Sequence, residues 1–144
     1  MTLVHNGPEQ TRGLWDLLDR ELRRQGVSNS MGDRYGLAHY PNGWERSGYF
    51  YLAGIPTAGV EADDLARMDS PFVSKAIPAG AYARFVHRGR YGDLPLLLDY
   101  VYHTWQPKAR QVLSYRSVVE HFAPGFRGWD HPQSEMVVSL PLRQ

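Results

Sequence analysis

An α+β domain built from duplicated strand-helix-strand-strand units is what three features of the sequence predict. Apolar residues recur at helical spacing in two stretches, around residues 14–22 and 96–105. The other apolar runs are short, rich in aromatic and β-branched residues, and bounded by Gly, Pro and Asn, as strands are. Short words also recur: Leu17-Leu18-Asp19 returns as Leu97-Leu98-Asp99, an offset of 80, and His39-Tyr40-Pro41 returns loosely as His121-Phe122 with Pro124, an offset of 82. Such a chain packs two helices against one curved antiparallel sheet, with a cleft on the pseudo-twofold axis. Residues 1–144 read as one domain, with pseudo-repeats at about 1–56 and 71–144.

In chain order, residues 1–5 read as a strand and residues 6–10 as a polar loop. Over residues 11–25, Leu14, Trp15, Leu17, Leu18 and Leu22 line one side of a helix while Asp19, Arg20, Arg23 and Arg24 face away. Gly26 stops it. Residues 35–40 form a strand ended by Pro41-Asn42-Gly43, and the aromatic run at 48–54 pairs with it as a hairpin. Residues 55–70, with the acidic Glu61, Asp63 and Asp64, read as a connector. Residues 72–77 and 81–87 read as a bent strand pair broken at Pro78-Ala79-Gly80. Asp93 is a suitable N-cap for a second helix that carries Leu96, Leu97, Tyr100 and Val101 to Trp105 and stops at Pro107. Strands at 117–124 and 135–142 close the chain.

Composition narrows the function. At 144 residues, with 42% apolar and 12% aromatic residues, the chain suits a globular domain with an ordinary core. Sixteen Lys and Arg against fifteen Asp and Glu leave a charge of +1, which offers no broad attraction for nucleic acid or anionic membrane. The absence of Cys excludes disulfides, thiolate chemistry and Cys-ligated metal. No apolar run reaches the ~20 residues of a membrane span, and no signal-peptide pattern opens the chain, so the expected location is cytoplasmic.

The informative stretch is Ser117-Val118-Val119-Glu120-His121-Phe122-Ala123-Pro124. Strand side chains alternate, so Val118, Glu120 and Phe122 share one face and Val119 and His121 the other. Either that face is wet and Glu120 is simply solvated, or a carboxylate is buried between apolar groups and needs compensation from the protein or from a ligand. The repeat places Ala38 where Glu120 stands in the other half. His39, His87, His103 and His121 lie on different elements without short ligand spacing, which predicts structural histidines and no metal site.

The run from Ile77-Pro78-Ala79-Gly80 through Arg84-Phe85-Val86-His87-Arg88-Gly89, then Trp105-Gln106-Pro107, Val119-Glu120-His121-Phe122 and Ser134-Glu135-Met136-Val137-Val138, resembles the GyrI-like effector-binding domain family. The resemblance implies the duplicated SHS2/GyrI-like fold around an aromatic groove, with Glu120 on the central pocket glutamate and Glu135 on a second acidic pocket position. A carboxylate in an aromatic box suits a lipophilic cation, since ring faces add about 0.5 to 2 kcal/mol each. Tyr40, Tyr49, Tyr51, Trp105 and Phe122 are the expected walls, with Tyr82 beside them. The expected function is binding of amphipathic, cationic, drug-like molecules, without cofactor, by a stand-alone sensor or sequestering protein; a homodimer or a separate DNA-binding protein are the expected partners, and action on transcription would require the latter. Two alternatives come with the resemblance. One is hydrolysis of strained cyclopropanoid compounds, with Glu120 as general base and Tyr51 or Trp105 orienting the electrophile. The other is a gyrase-inhibitor-like protein interaction.

Overall fold

The structure is a computed structural model, and it describes residues 2–5, 8–28, 32–40, 49–68, 72–114 and 117–143. Its strands are β1 (Thr2–His5), β2 (Arg34–His39), β3 (Tyr49–Gly54), β4 (Tyr82–Arg88), β5 (Val118–Phe122) and β6 (Glu135–Pro141). They form one antiparallel sheet in the order β1-β3-β2-β5-β6-β4. That order is symmetric about the central β2–β5 pair. In its register Gly36 faces Glu120, Leu37 faces Val119 and Ala38 faces Val118, so a twofold through the Leu37–Val119 pair relates residue n of β2 to residue n + 82 of β5.

One face of the sheet is apolar and covered. Ala38, Tyr51, Ala53, Val118, Phe122, Met136, Val138 and Leu140 pack with Leu14, Trp15, Leu18 and Leu22 of helix α1 (Pro8–Gln25) and with Leu94 and Leu98 of helix α3 (Leu94–Tyr100). Helix α1 starts three residues before the periodic stretch because Pro8 suits a first helical position. It ends in a Schellman motif: Gly26 is left-handed (φ 69°), its N–H donates to the Arg23 carbonyl, the Val27 N–H donates to the Leu22 carbonyl, and Val27 and Leu22 are buried in the same core.

Four expectations are corrected. Residues 72–79 form no strand; Val73 is 68% exposed, because β4 pairs only with β6 and nothing along 72–77 joins the ladder. The connector at 55–70 contains helix α2 (Ala62–Arg67), whose first-turn Asp63 and Asp64 complement the helix dipole. Asp93 precedes α3 without making a side-chain cap. Pro107 does not stop the second helix: α3 widens into a five-residue π turn (Val101–Trp105) and resumes as α4 (Gln106–Ala109), where Pro107 occupies an opening position that needs no N–H bond. The chain then leaves through Arg110 in the left-handed region. The expected stop at Pro41-Asn42-Gly43 lies outside the described residues.

Candidate functional site

Glu120 sits in the middle of β5 on the covered face, 1% exposed, flanked by the buried Val118 and Phe122 as strand alternation requires. Two phenols hold it. The Tyr51 hydroxyl donates to Oε1 at 2.7 Å, and the Tyr91 hydroxyl donates to Oε1 at 2.9 Å and lies 3.2 Å from Oε2. Trp15 of α1 donates its Nε1–H to the Tyr51 oxygen at 3.3 Å, which leaves the Tyr51 proton directed at the carboxylate.

These side chains come from separate elements for local reasons. Tyr51 pairs with Ala38, and its ring leans along the sheet over Gly36, which faces Glu120. Tyr91 stands in a short 3₁₀ turn before α3, its N–H donating to the Trp129 carbonyl at 2.8 Å and its ring edge-on to Trp129 at 4.8 Å. Trp129, in the segment between β5 and β6, also packs on Phe122 at 5.4 Å and on Trp15 at 6.3 Å. A second row of rings runs from Tyr40, 5.2 Å from Tyr49, to Tyr51, 6.4 Å from Tyr49. Thr11 and Tyr49 share a hydrogen bond of 2.8 Å between their hydroxyls.

The electrostatics follow from burial. Desolvation pushes the Glu120 carboxyl up to about 7 against the opposing pull of the Tyr51 and Tyr91 hydrogen bonds. Burial, then the Glu120 charge, pushes the Tyr40, Tyr51 and Tyr91 phenols well above their usual value, so they remain donors at neutral pH. Near pH 7 the site therefore exchanges one proton at Glu120. The carboxylate can bind a cation, accept a proton or give one back. It is covered, with almost none of its surface exposed.

Of the residues expected at the site, Glu120, Tyr40, Tyr49, Tyr51 and Phe122 come together. Trp105 does not join them by any ring contact of its own to this group; it packs edge-on against Phe85 at 5.1 Å, from the π turn. Glu135 is corrected by strand parity. Met136, Val138 and Leu140 of β6 point inward, so Glu135 points outward, where its carboxylate is 49% exposed and paired with Arg88 across from it on β4. Tyr82 is likewise on the outer parity of β4, its hydroxyl donating to the Pro78 carbonyl at 2.6 Å. It lines a cleft of about 220 Å³ with Ala79, Ser114 and Arg143, which shares no residue with the Glu120 cluster. Tyr91, Trp15 and Trp129 were not expected there. Tyr91 lies in a turn, where no periodicity points a side chain anywhere, and its flanking Gly89 and Gly92 were the only signal.

The histidines are engaged locally. His121 Nε2 is 2.8 Å from Asp33 on the outer face, with its ring stacked on Tyr35 at 4.6 Å, and His87 Nε2 is 2.8 Å from the Arg90 carbonyl. Among the described residues, no three His, Cys, Asp or Glu side chains are grouped to hold a metal ion, and no helix is long and apolar enough to cross a membrane.

No curated protein matches this sequence. Among solved structures, that of SAV2435 bound to tetraphenylphosphonium is similar with a TM-score of 0.62 at 12% identity, over 99% of this chain and 86% of that one, which establishes a shared fold. The model of the GyrI-like small molecule binding domain matches residues 2–141, and with the two halves meeting at a buried glutamate in an antiparallel sheet, the chain belongs to that family.

Proposed function

We propose that the protein binds hydrophobic organic cations against Glu120, as a sensor or sequestering protein for drug-like compounds. One observation carries this reading: a carboxylate 1% exposed, whose hydrogen bonds come from two neutral phenols, with the apolar Val118, Phe122 and Val138 beside it. An ionised carboxylate in such a place is short of a counter-charge, and a ligand cation supplies it while ring faces add cation–π attraction. Tyr40, Tyr49 and Phe122 serve as walls, and Trp129 and Tyr91 as the side that yields. The solved relative's phosphonium ligand belongs to the same chemical class. A thermal-shift comparison of tetraphenylphosphonium with a neutral triphenyl analogue tests the reading. At a hundredfold its dissociation constant a ligand adds about 2.7 kcal/mol, several degrees of melting temperature. The cation is expected to stabilise the wild type, the neutral analogue less, and Glu120→Gln is expected to lose the difference. Equal responses from both proteins overturn it.

A second reading has its own support. A carboxyl raised to about 7 beside two phenol donors is suited to general-base work on a strained cyclopropanoid ring, with Tyr51 orienting the electrophile. Catalytic consumption of such a compound, abolished in Glu120→Gln, marks an enzyme; binding without consumption marks a receptor.

A further inference from the structure

The route by which Tyr51 reaches Glu120 crosses an entire strand. Tyr51 is on β3, Glu120 on β5, and β2 lies between them, so the two backbones are about 10 Å apart. A tyrosine spans that gap only by lying flat over the intervening strand, and it does so over Gly36. A Cβ at residue 36 would stand 1.9 Å from the Tyr51 hydroxyl oxygen, 2.5 Å from Cζ and 3.2 Å from Cε2. Gly36 is not among the residues with positive φ, so its backbone asks for no glycine. A glycine inside a strand weakens it, and the usual gain is close approach of another group. Here that group is the phenol. The twofold supplies a control within the molecule: residue 36 corresponds to Val118, and Tyr51, the partner of Ala38, corresponds to Val138, the partner of Glu120. There the strand carries Val118, and the residue in the place of Tyr51 is a valine, too short to cross it.

We propose that Gly36 is a positioning residue of the Glu120 site: by carrying no side chain it lets Tyr51 reach the carboxylate, so that the residue at 36 sets how tightly the site holds an organic cation. Any side chain at 36 lifts the phenol, leaves the carboxylate to Tyr91 alone and frees the Trp15 N–H from its acceptor. The titratable groups facing Glu120 are Tyr51 and Tyr49 from β3, Tyr40 from the end of β2 and Tyr91 from the turn before α3; α1 contributes only the indole N–H of Trp15. All four phenols titrate above their normal value, so a midpoint near neutrality belongs to Glu120.

This inference rests on the cation reading only for its ligand, and its test separates the two. The Glu120 carboxyl is titrated by carbon NMR in glutamate-labelled protein, with its signal assigned from Glu120→Gln, in wild type, Gly36→Ala, Tyr51→Phe, their double variant and Gly54→Ala, a strand glycine with only a backbone oxygen 3.9 Å from a built Cβ. Gly36→Ala and Tyr51→Phe are expected to raise the midpoint by the same amount, the double variant by no more, and Gly54→Ala not at all. Tetraphenylphosphonium affinity at pH 7 is expected to fall at least threefold in the first two and to recover at pH 9. A Gly36→Ala midpoint equal to that of wild type, or a double variant that moves further than either single one, overturns the proposal. Should Gly36→Ala not fold, Gly36→Ala/Tyr51→Leu is expected to fold, since the obstructing ring is gone; failure of that variant too overturns it. A wild type indifferent to the phosphonium, with midpoints moving as stated, sinks the cation reading and upholds the role of Gly36 at the carboxylate.

Discussion

At the position that the sheet's twofold relates to Glu120 stands Ala38, and at the position related to Tyr51 stands Val138. The two halves are otherwise built alike: each gives three strands, one of them to the central β2–β5 pair, and lays a leucine-lined helix on the covered face. The half with β5 carries the acid, and the half with β3 reaches over to hold it. The difference teaches that two halves sharing one frame differ at the few residues that form the Glu120 cluster. A carboxylate and a phenol facing each other across the axis make a site that neither half contains.

The comparison is broken most severely by moving the charge. Ala38→Glu buries a second carboxylate at a fully enclosed position, close to Glu120 and without phenols aimed at it, and is expected to cost on the order of 4 kcal/mol or more in urea unfolding. Leu18→Ala and Leu98→Ala sharpen the likeness instead. Both leucines are buried at corresponding helix positions, so each is expected to cost about 3 kcal/mol, with the two values close to each other.

Next comes the charge itself. The Glu120 carboxyl is about 7 folded against 4.5 unfolded, so below pH 4.5 both states hold the proton and nothing is lost. Between 4.5 and 7 the folded state holds more protons, so stability falls as pH rises; above 7 the penalty is complete, at about 3 kcal/mol. Glu120→Gln is accordingly expected to unfold at higher urea than wild type at pH 8 and to lose that advantage at pH 4. The smallest effect belongs to the rim. Arg12 of α1 makes a two-pronged ion pair with Asp130, which holds the segment carrying Trp129, but Asp130 is 74% exposed and salt screens the pair. Asp130→Asn is expected to change the melting temperature little, and less still at high salt.

Much of this frame was legible in the sequence because it depends on periodicity. Alternation placed Val118, Glu120 and Phe122 on one face, and Leu14, Trp15, Leu18 and Leu22 on one side of a helix, before any contact was known. Tyr40, Tyr49 and Tyr51 were expected as walls on the family resemblance, and their rings stand in one row. The rest depends on what periodicity does not encode. Glu135 lies one residue off the inward parity of β6, and a single step in a strand exchanges pocket for solvent. Tyr91 is placed by a turn and by Trp129, itself in a loop. Pro107 reads as a stop because a π turn ahead of it leaves no mark in hydropathy. Gly36 stands inside a strand with no pattern to single it out, and only the side chain passing over it shows why the position is empty.

The most direct test of a carboxylate that trades its proton for an organic cation is calorimetric binding of tetraphenylphosphonium to wild type and Glu120→Gln from pH 5 to 9. In wild type the affinity is predicted to rise about tenfold per pH unit up to about 7 and then level off, with proton release on binding below that point, while Glu120→Gln binds weakly and without pH dependence. A flat wild-type profile, or a variant that binds as tightly as wild type at pH 8, contradicts the account.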